Sequence, residues 1–181
     1  REIDRRVLTP CVERDDFGWM GFRGGRVNNW NPWCNSNWLV SALLIEPDEG
    51  RRVAAVAKIA RSLDHFLDAY EDDGGCDEGP GYWGRAGASL YDCLDLMHSA
   101  SDGAIDVYDK PLIQQIGRYI YRVHIADHYF VNFADASARG GIPESLVYRY
   151  GKSIGDEKMM GFAAAFFADS GGMDEAFEGR A

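Results

Sequence analysis

A chain of 181 residues with 46% hydrophobic and 13% aromatic side chains can bury a sizeable core as one domain and lacks the composition of a disordered protein. Its net charge of −10, from 29 acidic and 19 basic residues, has the wrong sign for a nucleic-acid binder, and no dense basic stripe offsets it. No run of about twenty apolar residues offers a membrane span. The cysteines Cys11, Cys34, Cys76 and Cys93 form no CxxC pair and have no histidine at ligand spacing, which argues against zinc.

The sequence begins at Arg1 rather than Met and closes on Ser170-Gly171-Gly172-Met173 and an acidic, glycine-containing run, so it reads as a piece of a longer protein. Phe17 to Val27 is Gly-rich and aromatic, the pattern of a loop. Arg23 and Arg26 make a local basic patch there, because no acid occurs between Phe17 and Leu44. The stretch Val27 to Trp38 then packs three Trp and five Asn into twelve residues without a charge. Asn amides compete with the backbone for hydrogen bonds, so this stretch reads as a loop, with a helix following from Asn37 to about Ile45.

Pro47 and Asp48-Glu49 open a long helix in which Val53, Val56, Ala60, Leu63, Leu67 and Tyr70 step by three and four onto one face. Asp72-Asp73-Gly74-Gly75 stops it. Ala86, Leu90, Cys93, Leu94 and Met97 repeat the spacing. After Lys110-Pro111 come Leu112, Ile116, Tyr119, Ile120 and Val123, with His124 near that stripe. Pro143-Glu144 opens a helix to about Ile154, and Asp156-Glu157 opens one through Met160, Ala164 and Phe167. Only Tyr129 to Phe133 looks extended. With no βαβ alternation, the expected fold is all-α: one domain over 1–181, made of antiparallel helix pairs in a bundle or part of a helical toroid.

Two segments carry candidate chemistry. Trp rings cover the apolar face of a pyranose, and Asn amides offer donors and acceptors to hydroxyls and carboxylates, so the Asn/Trp stretch suits a sugar. It equally suits a surface loop whose tryptophans plug helix ends. The second segment, Asp73 to Arg85, contains Gly79-Pro80-Gly81, stiff at Pro80 and permissive at its flanks, followed by Tyr82, Trp83 and Arg85. An arginine near the Tyr82 phenol would favour the phenolate and fit it for general acid–base work; a turn that caps the next helix is the plain alternative. A helix running down from the first segment and a second returning to the other would bring both to one end.

Asn28-Asn29-Trp30-Asn31 with Cys34-Asn35, then Asp77-Glu78-Gly79-Pro80-Gly81-Tyr82-Trp83, and later Arg118 to His124 and Asn132 to Asp135, resemble the heparinase II/III family of polysaccharide lyases over roughly 26–139. The resemblance implies an (α/α) toroid followed by β-sandwich domains, no cofactor, and β-elimination on an acidic, uronate-containing polysaccharide or oligosaccharide. It gives Asn28, or the adjacent Asn29, the neutralisation of the uronate carboxylate, and Tyr82 the proton transfer. Arg85 would tune Tyr82 or touch the carboxylate. Trp30, Trp33 and Trp83 would be sugar platforms, with Arg26 and Glu78 as further substrate or loop contacts. The family's usual His base comes from the β-sandwich region, a partner domain that this sequence does not reach. Of the four histidines, His65, His98, His124 and His128, the first two lie in helical runs and are read as structural; His124, near the inward stripe of its helix, is the more interesting one but is not the expected base. A periplasmic or secreted location is favoured. A glycoside hydrolase would need a second carboxylate opposite Asp73, Asp77 or Glu78, and none stands out; a noncatalytic carbohydrate-binding or scaffold module remains the third reading.

Overall fold

The computed structural model describes residues 1–169; the closing run 170–181, on which part of the longer-protein reading rests, lies outside them. The fold is all-α, with one two-stranded antiparallel sheet. The chain divides into two compact units, each built from two stretches: Arg1–Asp72 with Arg85–Val107, and Asp73–Gly84 with Tyr108 onward. A reading of 1–181 as one domain does not anticipate this interleaving, because nothing in the composition changes at the three crossings.

In the first unit, a wide helical turn, Asp4–Leu8, runs into α1 (Thr9–Glu13). α2 (Trp30–Ile45) and α3 (Glu49–Asp68) form a helical hairpin, and α2 also packs on α5 (Gly87–Ala100). The Asp48 carboxylate caps α3 by accepting from the Arg51 N–H at 2.7 Å, so the break after Pro47 is fixed by chemistry the sequence announces. The core takes Trp38, Leu39 and Ala42 from α2, Ile59, Leu63 and Phe66 from α3, and Leu90, Cys93 and Met97 from α5. The α3 face differs from the expected one. Val53 is exposed, and the buried line is Ala55, Ile59, Ser62 and Phe66 with Leu63. Ser62 belongs to that line because it satisfies buried amides of α2, a role that hydrophobic spacing does not reveal.

The second unit holds the single turn α4 (Pro80–Trp83), α6 (Pro111–Arg122), the hairpin β1 (His124–Ala126) and β2 (Tyr129–Phe130), and the helical pair α7 (Glu144–Ser153) and α8 (Glu157–Asp169). α6 buries Ile113, Ile116, Tyr119 and Ile120. Gly117 lets α6 approach α7 closely, since a Cβ there would sit 3.1 Å from the Tyr150 ring. The α8 stripe is Met159, Ala163 and Phe166, one position from the expected Met160, Ala164 and Phe167. Asp156 sets that phase: one carboxylate oxygen accepts from the Met159 N–H at 2.9 Å and the other from Arg118 Nε at 2.7 Å. His124 is not in α6; it opens β1, and its ring meets Phe130, Phe162 and Phe166 edge-on at 5.1–5.3 Å between centroids. Among the described residues no helix is long and apolar enough to cross a membrane.

Candidate functional site

The Asn/Trp stretch is not a loop. α2 begins at Trp30, and the stretch supplies its first turns. Pro32 is compatible because it lies in the first turn, where a missing N–H costs no helical bond. The expected obstacle, amide competition, is removed by turning two asparagines inward. Asn31 Nδ2 donates to the Trp19 carbonyl at 2.8 Å and to the Ser62 carbonyl and hydroxyl at 3.0 Å. Asn35 Nδ2 donates to Asn31 Oδ1 at 3.2 Å and to Ser62 Oγ at 2.9 Å, and Ser62 Oγ donates to the Met20 carbonyl at 3.0 Å. Both asparagines are fully buried. Their hydrogen bonds tie α2 to α3 and to the Trp19–Met20 turn.

The helix therefore sorts the stretch by face. Asn28 is exposed at its start; its Oδ1 accepts from the Trp30 N–H at 3.2 Å, which leaves its Nδ2 donors without a partner among the described residues. Asn29, the alternative for the same role, is buried. Trp30 is 53% exposed and Trp33 half-buried, one turn apart on the outer face, with ring centroids 5.1 Å apart. Arg85 brings its guanidinium carbon to 4.6 Å from the Trp33 ring centroid. No carboxylate among the described residues pairs with Arg85, and its N–H groups make no hydrogen bond there. Two indoles and a cation held by one of them thus form an exposed surface of the first unit, with the Asn28 amide at its edge. Arg26 is also exposed, while Arg23 lies 3.9 Å from Asp16.

Glu78, Tyr82 and Trp83 belong to the second unit. Gly79 has φ +85°, and a Cβ on it would fall 2.6 Å from Ala136 Cβ and 2.8 Å from the Phe133 carbonyl, so only glycine lets this loop dock on the 133–136 turn. Tyr82 is half-buried on α4. Trp83 corrects its expected role as a sugar platform. Its ring is fully buried, stacks on Tyr150 at 6.5 Å, and donates from Nε1 to the Ile116 carbonyl at 2.8 Å, so it presents no face to a ligand. The carboxyl of Glu78 is pushed up, first by burial and then by the charges of Asp77 and Asp135. Asp135 is the carboxylate that sequence reasoning missed. It follows Ala134, a non-glycine residue at φ +48°, and lies too far along the chain for spacing to connect it with Glu78.

His65 packs edge-on against Phe22 at 5.5 Å, and His124 Nε2 bonds the Asp127 carbonyl at 2.9 Å. None of the four cysteines forms a disulfide. The Arg85–Trp33 contact is the other feature that linear reading does not find, since Trp33 lies on α2 and Arg85 in the turn between α4 and α5. No protein-family model matches the sequence, and no curated protein matches it.

Proposed function

We propose that the chain binds an acidic polysaccharide on the Trp30–Trp33–Arg85 surface, as part of a lyase that cleaves a uronate-containing glycan by β-elimination. The observation that carries the binding half is the Arg85 guanidinium over Trp33, with no carboxylate partner among the described residues, beside the exposed Trp30 ring, in a chain of net charge −10. An aromatic face takes the C–H side of a pyranose, and a guanidinium takes its carboxylate through two parallel N–H bonds. The lyase half rests on the resemblance of the two motifs. Asn28 Nδ2 donates to the uronate carboxylate and stabilises the charge that develops as the C5 proton leaves. In the step that the resemblance implies, the Tyr82 oxygen takes the C5 proton, the C5 electrons form the C4=C5 double bond, the C4–O bond breaks, and the same Tyr82 hydroxyl gives that proton to the departing oxygen. Glu78 holds its loop.

A panel of uronate and neutral polysaccharides tests both halves. Binding is read by quenching of tryptophan fluorescence, and elimination by the ultraviolet absorbance of the unsaturated uronate. The expected outcome is preference for uronates, with Arg85→Ala weakening binding and Tyr82→Phe abolishing elimination while binding persists. Equal binding of neutral and acidic glycans sinks the Arg85 assignment, and a new reducing end without absorbance indicates hydrolysis instead.

A further inference from the structure

Arginine over an aromatic ring recurs in this molecule, and its carboxylate partners sort the cases. Arg14 lies 4.5 Å from the Phe17 ring centroid, and Asp16 takes its guanidinium with two bonds of 2.8 and 2.9 Å. That cation is internally satisfied. Arg139 lies 5.4 Å from the Tyr129 ring centroid in the second unit, and no carboxylate among the described residues pairs with it. Asp135, four residues earlier, leaves it alone. Arg139 is exposed, in a protein with ten more acidic than basic side chains.

The backbone holds this pair in place. Tyr129 and Arg139 are directly opposed in an antiparallel bridge, which sets both side chains on one face. The flanking bonds Phe130 N–H to Ala138 carbonyl (2.8 Å) and Gly140 N–H to His128 carbonyl (3.0 Å) clamp the two strands. A third bond, Val131 N–H to Val123 carbonyl at 2.8 Å, ties the other side of β2. Alternation along the strand then separates two faces. Phe130 turns inward against His124 and Phe166, whereas Tyr129 and Val131 remain 46% and 49% exposed, with Phe133 also open to solvent. A short hairpin that exposes such side chains beside a guanidinium with no carboxylate partner among the described residues has the features of a recognition surface rather than of a packed one.

We propose that this hairpin face is a second, independent contact for an acidic glycan: a carboxylate on Arg139 and the C–H face of the sugar on Tyr129, bordered by Val131. Charge decides between this ligand and an apolar protein partner, because an apolar partner would bury Arg139 without compensation. The inference rests on the acidic-glycan reading of the chain, but on different residues in a different unit.

The test is a nuclear magnetic resonance titration of the isotopically labelled chain with a galacturonate trisaccharide, and with maltotriose as the neutral control. Signals of Trp33 and Arg85 report the first surface, and those of Tyr129, Val131 and Arg139 report the hairpin. Both groups should shift with the acidic sugar only. Arg139→Ala should weaken the hairpin response about tenfold and leave that of Trp33 unmoved. Arg139→Lys should fail to restore it, since a lysine lacks the planar fork that takes a carboxylate with two bonds. A response at Trp33 with silence at Tyr129 overturns the hairpin contact and leaves the first surface standing. The reverse pattern overturns the first surface and leaves the hairpin. Silence at both overturns both, and an equal hairpin response to maltotriose removes Arg139 from the contact.

Discussion

The start of α2 and the Asp73–Gly84 segment carry the same kinds of residue and use them in opposite ways. In α2 the tryptophans Trp30 and Trp33 stand on the outer face, while the polar Asn31 and Asn35 are buried. In the second segment the aromatic Trp83 is buried and the charged Asp77 and Glu78 stay nearer solvent. The inversion in α2 is possible because Ser62 and the Trp19 carbonyl accept from the buried amide nitrogens, and the Met20 carbonyl accepts in turn from the Ser62 hydroxyl. A buried polar group that finds partners costs little, so the apolar side chains are released for the surface. Residue type therefore does not assign a role here; the presence of a partner across the packing does.

The sharpest way to break this contrast is to truncate one tryptophan from each region. Trp83→Ala should cost about 4 kcal/mol in denaturant unfolding, from the lost volume and the Ile116 carbonyl left without its donor. Trp30→Ala should stay within about 0.5 kcal/mol. Equal losses would erase the distinction between the two regions. Next in size is Gly74→Ala, at about 3 kcal/mol: φ is +75°, and a Cβ would meet the Gln115 backbone at 2.2 Å. Gly18→Ala, where a Cβ meets nothing, serves as its control in the same unfolding assay. Asn31→Ala should cost about 2 kcal/mol, because the Trp19 carbonyl loses its Asn31 donor, Ser62 Oγ one of two donors, and Asn35 Nδ2 one of its acceptors inside the core. Asn37→Ala, on the exposed side of the same helix, should be nearly silent. A silent Asn31→Ala would mean that the inward amides do not hold α2.

The smallest effect separates the regions by pH. The Asn31–Asn35–Ser62 network contains no titratable group, whereas the junction of α6 and α8 rests on Asp156. Burial raises the Asp156 carboxyl, but the Arg118 guanidinium, the Met159 N–H and the Tyr121 hydroxyl outweigh it and hold the carboxyl below its ordinary value. Its contribution is therefore complete above the ordinary aspartate range and is lost as pH falls through the lower folded value. Asp156→Asn should cost about 1 kcal/mol near neutral pH and flatten the acid limb of a stability–pH curve. An unchanged acid limb would remove Asp156 from that role.

Much of the helical frame is legible from local signals. Ala86, Leu90, Cys93, Leu94 and Met97 announce the buried stripe of α5, and Lys110-Pro111 and Pro143-Glu144 announce where α6 and α7 begin. The failures share a cause. α2 begins earlier than Asn propensity allows, α3 turns Ser62 inward, and Trp83 is buried, each because a partner distant in sequence satisfies or covers it. The candidate site follows the same rule. Exposure separates Asn28 from Asn29, which spacing leaves equivalent, and the ring beneath Arg85 is recruited from 52 residues earlier in the chain.

Lys58 gives the N-terminal segment its own reporter. Its ammonium, almost wholly buried on α3, donates to the Val12 and Arg14 carbonyls at 3.0 and 2.8 Å and lies 2.7 Å from an Asp15 oxygen, fastening the end of α1. The other lysines, Lys110, Lys152 and Lys158, are all on the surface. An amine-reactive label should therefore modify those three at once and reach Lys58 only when α1 peels away. The rate at which that last lysine reacts is a clock for the opening of one strap while the rest of the protein remains folded.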